Sequence, residues 1–445
     1  MNTQKEFVDF TKEMKKDHVI LVPDIFPVHM SLLTEVLRMY GYQVEGLHYT
    51  GQKVLDEGLR HIHNDMCYPA ICSCGQLLYA LTSGDYDPHK VALMHFQTGG
   101  GCRASNYIKL LKKALVDMGL GYVPVISLSF GGMEKYSGFK ITPLLLYKGC
   151  ISLVYGDMLM QLKNQVRPYE VHHGQTQQLV ETWTERLVSQ FKRNRGLTGR
   201  SITKNLKAMA ADFHAIEKTS EKKIKVGIVG EIYVKYAPFG NNDLEEFLFS
   251  QGCEYMVPGV LGFVYYCASG KLIDWELYGG SRFWKYLGVF MERILNGLQN
   301  KLRSVLSAYD EFITPASFPH VKALAETVIS KGVKMGEGWL LPAEMCELIE
   351  NGYQNIVCAQ PFGCLPNHIV GKGVIRNIKN RYPNANIAPI DYDAGATKVN
   401  QENGIKLMRA VAKERLTTKA DPAPVTAEEL AGGAPQVETQ VPAML

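Results

Sequence analysis

The chain has 445 residues, of which 46% are hydrophobic and 21% are charged. This composition suits two or three packed domains and excludes an intrinsically disordered protein. The formal net charge of +4 is small for this length, so neither a nucleic acid nor a membrane surface is expected as a partner. No apolar run is long enough to span a bilayer, and the charged N-terminal stretch lacks the apolar block of a signal peptide, so a cytoplasmic location is expected.

The first half of the chain alternates buried strands with amphipathic helices. Strands are predicted at HVILVPD (18–24), YQVEGLH (42–48), KVALMHF (90–96) and YVPVISLSF (122–130). The helix SLLTEVLRMYG (31–41) separates the first two, and Gly41 is expected to end it. This alternation predicts a parallel sheet covered on both faces. Residues 151–215 are predicted to be mostly helical, and their basic stretch QFKRNRGLTGRSITKNLK is interpreted as a solvated helix and turn.

The second half repeats the pattern. Strands are predicted at KVGIVGE (225–231), CEYMVPG (253–259), QNIVCAQ (354–360) and NIAPIDYD (386–393). Helices are predicted at NNDLEEFLFSQG (241–252), where Asn241 is the cap, over much of 280–350 with a bend at MGEGW, at 367–383 and at 401–416. The fold class is therefore α/β, with two lobes of similar design: residues 1–216 with a helical appendage, and residues 217–416. The Pro-, Ala- and Gly-rich stretch 417–445 is predicted to be disordered.

Three of the ten cysteines stand directly ahead of a predicted helix. Cys67 and Cys364 each precede a proline by two residues, and proline suits the first helical turn. Cys102 follows the three glycines at 99–101 and precedes Ser105, a good helix cap, and an apolar helical stripe. In a reducing cytoplasm these thiols are not expected to form disulfides.

The setting of these three cysteines favours metal binding. A helix N-terminus carries partial positive charge and unpaired N–H groups, which lower the pKa of a thiol and stabilise a thiolate. Ligand sites of parallel sheets lie beyond the carboxyl ends of the strands, so Cys67 and Cys102 from one lobe and Cys364 from the other are expected to meet in the cleft between the lobes. All-sulfur ligation without a C-x-x-C motif or a partner histidine favours iron–sulfur over zinc. The alternative for each loop is a buried thiol at a helix start.

Other residues could complete such a site. Cys72 and Cys74 fall two residues apart in one helix, a rotation of roughly 200°, so at most one is expected to face the way Cys67 does. Both remain candidate extra ligands, as does Cys358 at a strand end. Gly100 and Gly101 are expected to let the backbone approach a bulky cluster. The remaining cysteines are interpreted as core residues: Cys150, Cys253, Cys267 and Cys346.

Four segments resemble a known family, the 2-hydroxyacyl-CoA dehydratase superfamily, and within it the activase-related and double-cubane cluster proteins. They are NDMCYPA (64–70), GEIYVKYAPFGNNDLEEFL (230–248), QPFGCLPNHIVGKG (360–373) and IDYDAGATKVNQENGIKLM (390–408). The resemblance extends over residues 24–415. It implies two flavodoxin-like (Rossmann-like) lobes with an oxygen-sensitive iron–sulfur cluster at their interface.

The resemblance also implies ligands and partners. Three cysteines hold a [4Fe–4S] cluster with one open iron in the dehydratases, and Cys67, Cys102 and Cys364 match that role. Six cysteines hold an [8Fe–9S] cluster in the double-cubane branch, which would add Cys72, Cys74 and Cys358. A separate ATP-hydrolysing iron–sulfur activator supplies a low-potential electron, the substrate is an acyl-CoA, and a homo- or heterodimer is expected.

The expected activity is radical dehydration of a 2-hydroxyacyl-CoA, in which the cluster carries the chemistry and the protein orients the substrate. Glu231 and His368 are the candidate catalytic groups, and Gln360 is a candidate for contact with the cofactor. Asn241 also falls near the cleft, although capping a helix would explain it. Three alternatives stay open: a double-cubane reductase of small molecules, a non-enzymatic electron carrier, and an α/β protein with buried thiols or structural zinc.

Overall fold

A computed structural model describes residues 7–97, 101–129 and 138–417. It contains two four-stranded sheets whose strands are all parallel and are flanked by helices, which confirms the predicted fold class. The predictions for Gly100 and for the stretch after Thr417 lie outside the described residues. The eight strands are β1 Val19–Pro23, β2 Gln43–Leu47, β3 Val91–Gln97, β4 Val125–Ser129, β5 Ile224–Gly230, β6 Cys253–Met256, β7 Asn355–Pro361 and β8 Asn386–Tyr392.

Helices cover most of the remaining described chain. In the first half they are α1 Met14–Asp17, α2 Pro27–Met39, α3 Gln52–Ile62, α4 Tyr68–Thr82, α5 Tyr107–Asp117, α6 Pro143–Val166, α7 Gln175–Lys192 and α8 Gly199–His214. In the second half they are α9 Ile232–Tyr236, α10 Pro238–Asn241, α11 Leu244–Ser250, α12 Val260–Tyr278, α13 Arg282–Leu306, α14 Phe318–Glu326, α15 Leu340–Glu350, α16 Leu365–Asn367, α17 Ile375–Arg381 and α18 Lys398–Thr417. Within the described residues, no helix is both long enough and apolar enough to cross a membrane.

The two sheets have the same strand order. The first runs β2-β1-β3-β4 and the second β6-β5-β7-β8. This is the flavodoxin-like order. From the first strand of each sheet, the chain crosses to a strand on one side and then returns to strands on the other side, so the order reverses between the two central strands. Ligands of such sheets bind in the crevice at that reversal, beyond the carboxyl ends of the strands. In this chain the loops that follow β3, β5 and β7 leave from those two crevices.

Alternating side chains of the strands serve two different cores. In β1, Ile20 and Val22 pack on the side of α2 and α6, whereas Leu21 packs on the side of α4 and α5. Since successive strand residues point to opposite faces, the continuous apolar runs of the sequence are explained by helices on both faces. The face of the first sheet that carries Ile20 and Val22 shares one core with helices from both halves of the chain. Four of these helices are α6, α8, α12 and α13.

The structure differs from the predicted helix at 367–383. The chain there forms the short helix α16, then a π-helical turn at His368–Lys372, then α17. The turn brings Gly371 against β7: a Cβ on this residue would lie 3.0 Å from Gln360 Oε1 and 3.1 Å from Cys358 Sγ. A regular helix carrying a side chain at this position would not fit so close to the sheet.

Candidate functional site

Cys67 lies at the N-cap of α4, with extended backbone angles and Pro69 in the first turn. Its side chain is buried, and its Sγ lies 2.7 Å from the hydroxyl of Tyr107. Tyr107 is the first residue of α5, the helix that follows the Cys102 loop. The cysteine is therefore tied to the second predicted loop through a side-chain contact.

Cys102 is the N-cap of a 3-10 turn at Arg103–Asn106 and is half-buried. The guanidinium of Arg103 donates to the carbonyl oxygen of Asp65, two residues ahead of Cys67. The hydroxyl of Ser105 donates to the carbonyl oxygen of Cys102 (2.7 Å), so the prediction of Ser105 as the cap of α5 was wrong. The contacts of Arg103 and Tyr107 hold the Cys67 and Cys102 loops side by side.

Cys364 follows β7 and caps α16, again with Pro366 in the first turn. Its Sγ accepts a hydrogen bond from Asn367 Nδ2 (3.3 Å). Asn367 is fully buried, and its Nδ2 also donates to Glu337 Oε2 (3.0 Å). The second oxygen of Glu337 accepts from the backbone N–H of Ile232 (3.0 Å), the residue that follows Glu231.

Residues 335–338 contact loops of both lobes. A Cβ on Gly101 would lie 2.9 Å from Met335 Sδ, next to the Cys102 loop. A Cβ on Gly336 would lie 3.1 Å from the Cβ of Pro366, in the Cys364 loop. One short stretch of chain thus contacts both loops, and it carries the buried Glu337 between two glycines of positive φ, Gly336 and Gly338.

Glu231 stands at the carboxyl end of β5, as predicted, and caps α9. Its Oε2 accepts from the backbone N–H of Val234 (2.9 Å), and its own N–H donates to the carbonyl oxygen of Ala359 (3.1 Å). Burial, with the charge of Glu337 as the next cause, raises the pKa of Glu231 to about 8. Burial is the largest cause of the raised pKa of Cys67, Cys102 and Cys364, and the charge of Glu231 is a smaller cause that all three share. All three thiols therefore lie within electrostatic range of one carboxyl group.

The pKa of each thiol shifts opposite to the expectation from the sequence. Burial raises the pKa of Cys67 to about 11 and that of Cys364 to about 12, and it also raises the pKa of Cys102. Backbone N–H groups do lower the pKa of Cys67 and Cys102, as expected at helix starts, but by less than burial raises it. For the chain by itself, the cost of burying a negative charge exceeds the stabilisation from the helix ends.

The additional cysteines occupy three different surroundings. Cys72 packs between the lobes with Tyr68 and Tyr233, whereas Cys74 packs inside the first lobe on the opposite side of α4. This agrees with the rotation predicted for two residues along a helix. Cys358 lies in the core of the second lobe, against the π-helical turn.

The candidate polar residues surround the same region in different roles. Gln360 Nε2 donates to Asp391 Oδ1 (2.8 Å), while its buried Oε1 has no hydrogen-bond partner among the described residues. His368 is half-buried, and its backbone N–H donates to the carbonyl oxygen of Cys364 (3.0 Å). Asn241 has a structural role, because its Oδ1 accepts from the N–H of Leu244 and its Nδ2 donates to the carbonyl oxygen of Val234.

Sequence reasoning missed Glu337, Asn367 and Tyr107, although each contacts a predicted residue or its neighbour. A glutamate between two glycines was a usable signal, since paired glycines often mark a backbone that must turn sharply around one side chain.

Across residues 7–97, 101–129 and 138–417, no group of three or more His, Cys, Asp or Glu side chains is placed to bind a metal ion. No protein-family model matches the chain, and no curated protein matches it either.

Proposed function

We propose that the chain is a cytoplasmic iron–sulfur protein that receives low-potential electrons from an ATP-hydrolysing activator. In this proposal Cys67, Cys102 and Cys364 hold the cluster between the lobes. The reaction most consistent with the resemblance is dehydration of a 2-hydroxyacyl-CoA. The observation that supports it best is that cysteines at three helix starts, from distant parts of the chain, each lie near Glu231, and that residues 335–338 touch two of the three loops.

The chemistry of the donor set fits a cluster. Each sulfur faces hydrogen-bond donors that suit a thiolate: the Tyr107 hydroxyl at Cys67, backbone N–H groups at Cys102, and the Asn367 amide at Cys364. The same site holds two carboxyl groups, Glu231 and the buried Glu337, and negative charge on either one opposes thiolate formation at Cys102 and Cys364. A cationic iron–sulfur core would offset that repulsion. Because ligands of a cluster bind separate iron atoms, their sulfurs need not converge on one point.

When bound, the cluster would supply a low-potential electron and, at an iron without a cysteine ligand, a Lewis acid for a thioester carbonyl. The chain's own contribution is proton handling and enclosure. Because the pKa of Glu231 is raised to about 8, this carboxyl group is largely protonated at neutral pH. Its Oε2 already accepts the N–H of Val234, so Oε1 is the atom that would carry the proton and deliver it to a departing hydroxyl group.

A four-iron cluster is favoured over the double cubane by the geometry of α4. By the resemblance, the larger cluster would take six cysteines, Cys72 and Cys74 among them, yet these two side chains enter opposite cores. Bringing both to one cluster would require α4 to unwind. The electron-carrier alternative shares the same cysteines and differs only in lacking turnover.

The deciding experiment is anaerobic purification followed by iron and sulfide analysis and electron paramagnetic resonance. We expect about four irons per chain, and loss of most iron in Cys67→Ala, Cys102→Ala and Cys364→Ala. Cys150→Ala, in α6, is the matched control and should retain the iron content of the wild type. An iron content of Cys364→Ala equal to that of the wild type would show that the cluster does not lie in the cleft between the lobes. Turnover of a 2-hydroxyacyl-CoA that requires both activator and ATP would exclude the carrier.

A further inference from the structure

The helical hairpin formed by α12 and α13 presents an unusual surface. Its turn is made by Gly279 and Gly280, both at positive φ, so the two helices run antiparallel. Around the turn and along α13, nine large apolar side chains are each between 39% and 76% exposed: Leu277, Tyr278, Phe283, Trp284, Tyr286, Val289, Phe290, Met291 and Ile294. We call these nine residues the hairpin face.

Helix α13 has two distinct apolar stripes. Gly288, Leu295 and Leu302 form the buried stripe that packs against the rest of the chain. At 100° per residue, Phe283, Phe290 and Ile294 fall within about 40° of one another and about a third of a turn away from the buried stripe. A helix of a monomeric protein normally needs only one apolar stripe, so the second stripe predicts a second packing partner.

The hairpin face is too large to be incidental. Taking roughly 150–250 Å² for a whole aromatic side chain, the exposed fractions of its five aromatic residues alone amount to roughly 500–800 Å², and four aliphatic side chains add to this area. The largest apolar patch on a typical monomer is about 300–600 Å². A stable interface of standard size buries about 800 Å² on each partner, so this face alone supplies the area that a dimer needs.

The charges around the hairpin face suit a copy of the same chain. Exposed residues of both signs border it, namely Glu276, Arg282 and Arg293. A partner of one strong charge would match only part of this border, whereas a second copy offers both signs to both chains. Trp284, the one tryptophan among these nine residues, lies under a cation, because Lys271 Nζ is 5.4 Å from the centre of its ring. Lys285 Nζ lies 3.6 Å from the centre of the ring of Trp275, in α12.

We propose that the hairpin face is the interface of a symmetric homodimer, in which two α12–α13 hairpins pack into a four-helix bundle. The aromatic and aliphatic side chains form its centre and the charges of both signs form its rim. The hairpin also borders the segment that carries Glu337: Leu277 Cδ1 would lie 3.1 Å from a Cβ on Gly332, and Asp274 pairs with Lys334. Dimer formation would therefore stabilise the segment that carries Glu337, on one side of the cysteine site.

Sedimentation velocity of the full chain at micromolar concentrations tests this interface. The wild type should sediment as a dimer. Phe290→Glu and, separately, Phe283→Glu should raise the dimer dissociation constant at least 100-fold, because each places two charges in an apolar interface. Both side chains are more than half exposed in the single chain, so circular dichroism should show an unchanged fold. The matched control is Leu407→Glu in α18, a side chain 69% exposed, which should remain dimeric.

Three results would overturn the dimer interface. One is a wild-type chain that stays monomeric at these concentrations. Another is a Phe290→Glu variant that dimerises as tightly as the wild type. The third is a monomeric wild type that co-sediments with vesicles of phosphatidylcholine and phosphatidylglycerol while Phe290→Glu does not, which would assign the hairpin face to a membrane surface.

Discussion

The sulfur of Cys67 lies 2.7 Å from the hydroxyl oxygen of Tyr107, the residue that begins the helix after the Cys102 loop. Tyr107 is itself buried, and the ring of His95 packs edge-on against it at 5.6 Å between centroids. The contact joins two of the three cysteine loops through a side chain outside the proposed set of cysteine ligands. It therefore identifies Tyr107 as a residue that positions Cys67.

Tyr107→Phe should lower the free energy of unfolding of the metal-free protein by about 1 kcal/mol, the usual net value of a buried hydrogen bond. The ring and its packing are retained, so the loss reports the hydroxyl alone. Urea denaturation measures it. Tyr122→Phe, at a residue 37% exposed and outside the hairpin face, serves as the control and should change stability by less than about 0.5 kcal/mol. Equal stabilities for Tyr107→Phe and the wild type would show that the hydroxyl contributes nothing at Cys67.

Lys235 and Glu344 form an ion pair in which both side chains are almost fully buried (2.9 Å). Lys235→Met should cost about 3–5 kcal/mol, because it leaves the Glu344 carboxylate buried without a partner. The double variant Lys235→Met/Glu344→Leu should recover a large part of that loss, since it removes both charges. Urea denaturation of the two single variants and the double variant gives the coupling energy. A double variant whose loss equals the sum of the single losses would rule out the pair as a coupled unit.

The helices α2 and α6 cross with His29 against Gly156. A Cβ on Gly156 would overlap the His29 ring, whose Nε2 hydrogen-bonds Asp157 (2.8 Å). Gly156→Ala should therefore destabilise the fold by about 1–3 kcal/mol. Gly149→Ala on the same helix has its nearest atom at 3.9 Å and should instead stabilise by about 0.5–1 kcal/mol through helix propensity. Thermal melts of both variants measure these opposite changes in stability. A Gly156→Ala variant more stable than the wild type would contradict the close approach of α2 and α6.

Stability of the metal-free protein should depend on pH through Glu231. The pKa of Glu231 is about 8 in the folded chain, against an ordinary value of 4.5. Between these values the folded state holds a proton that the unfolded state has released, so stability falls as pH rises from about 5 to 8. Glu231→Gln removes this contribution and should reduce the slope by up to about 1.4 kcal/mol per pH unit.

Urea denaturation of Glu231→Gln at several pH values measures that slope. Glutamine can still accept the N–H of Val234, so the cap of α9 is preserved. Glu185→Gln, at an exposed position of α7, is the control and should follow the wild type at every pH. A Glu231→Gln variant with the same pH profile as the wild type would show that Glu231 is ionised in the folded chain.

The fold could be predicted from the sequence because its strands are buried on both faces and read as continuous apolar runs, such as VILVP and NIVCAQP. The cysteine positions could also be predicted, because C-x-P marks the first turn of a helix. The direction of the thiol pKa shifts could not, since burial depends on what the other lobe contributes. Glu337 was missed for a related reason: its partners Ile232 and Asn367 are distant in sequence and meet it only in the folded chain. The break at His368–Lys372 depends on the approach of Gly371 to Cys358, which has no local signature.

The core shared by α6, α8, α12 and α13 has a consequence for fragments of the chain. It contains buried side chains from residues before Lys218 and after it, including Ile20, Leu206 and Leu302. Cutting the chain near 217 would expose apolar surface on both pieces, although each keeps a complete four-stranded sheet. Limited proteolysis should consequently yield no half that stays folded and monomeric when separated, and expression of either half alone should give aggregates. Co-expression of the two halves is the condition under which they should reassemble.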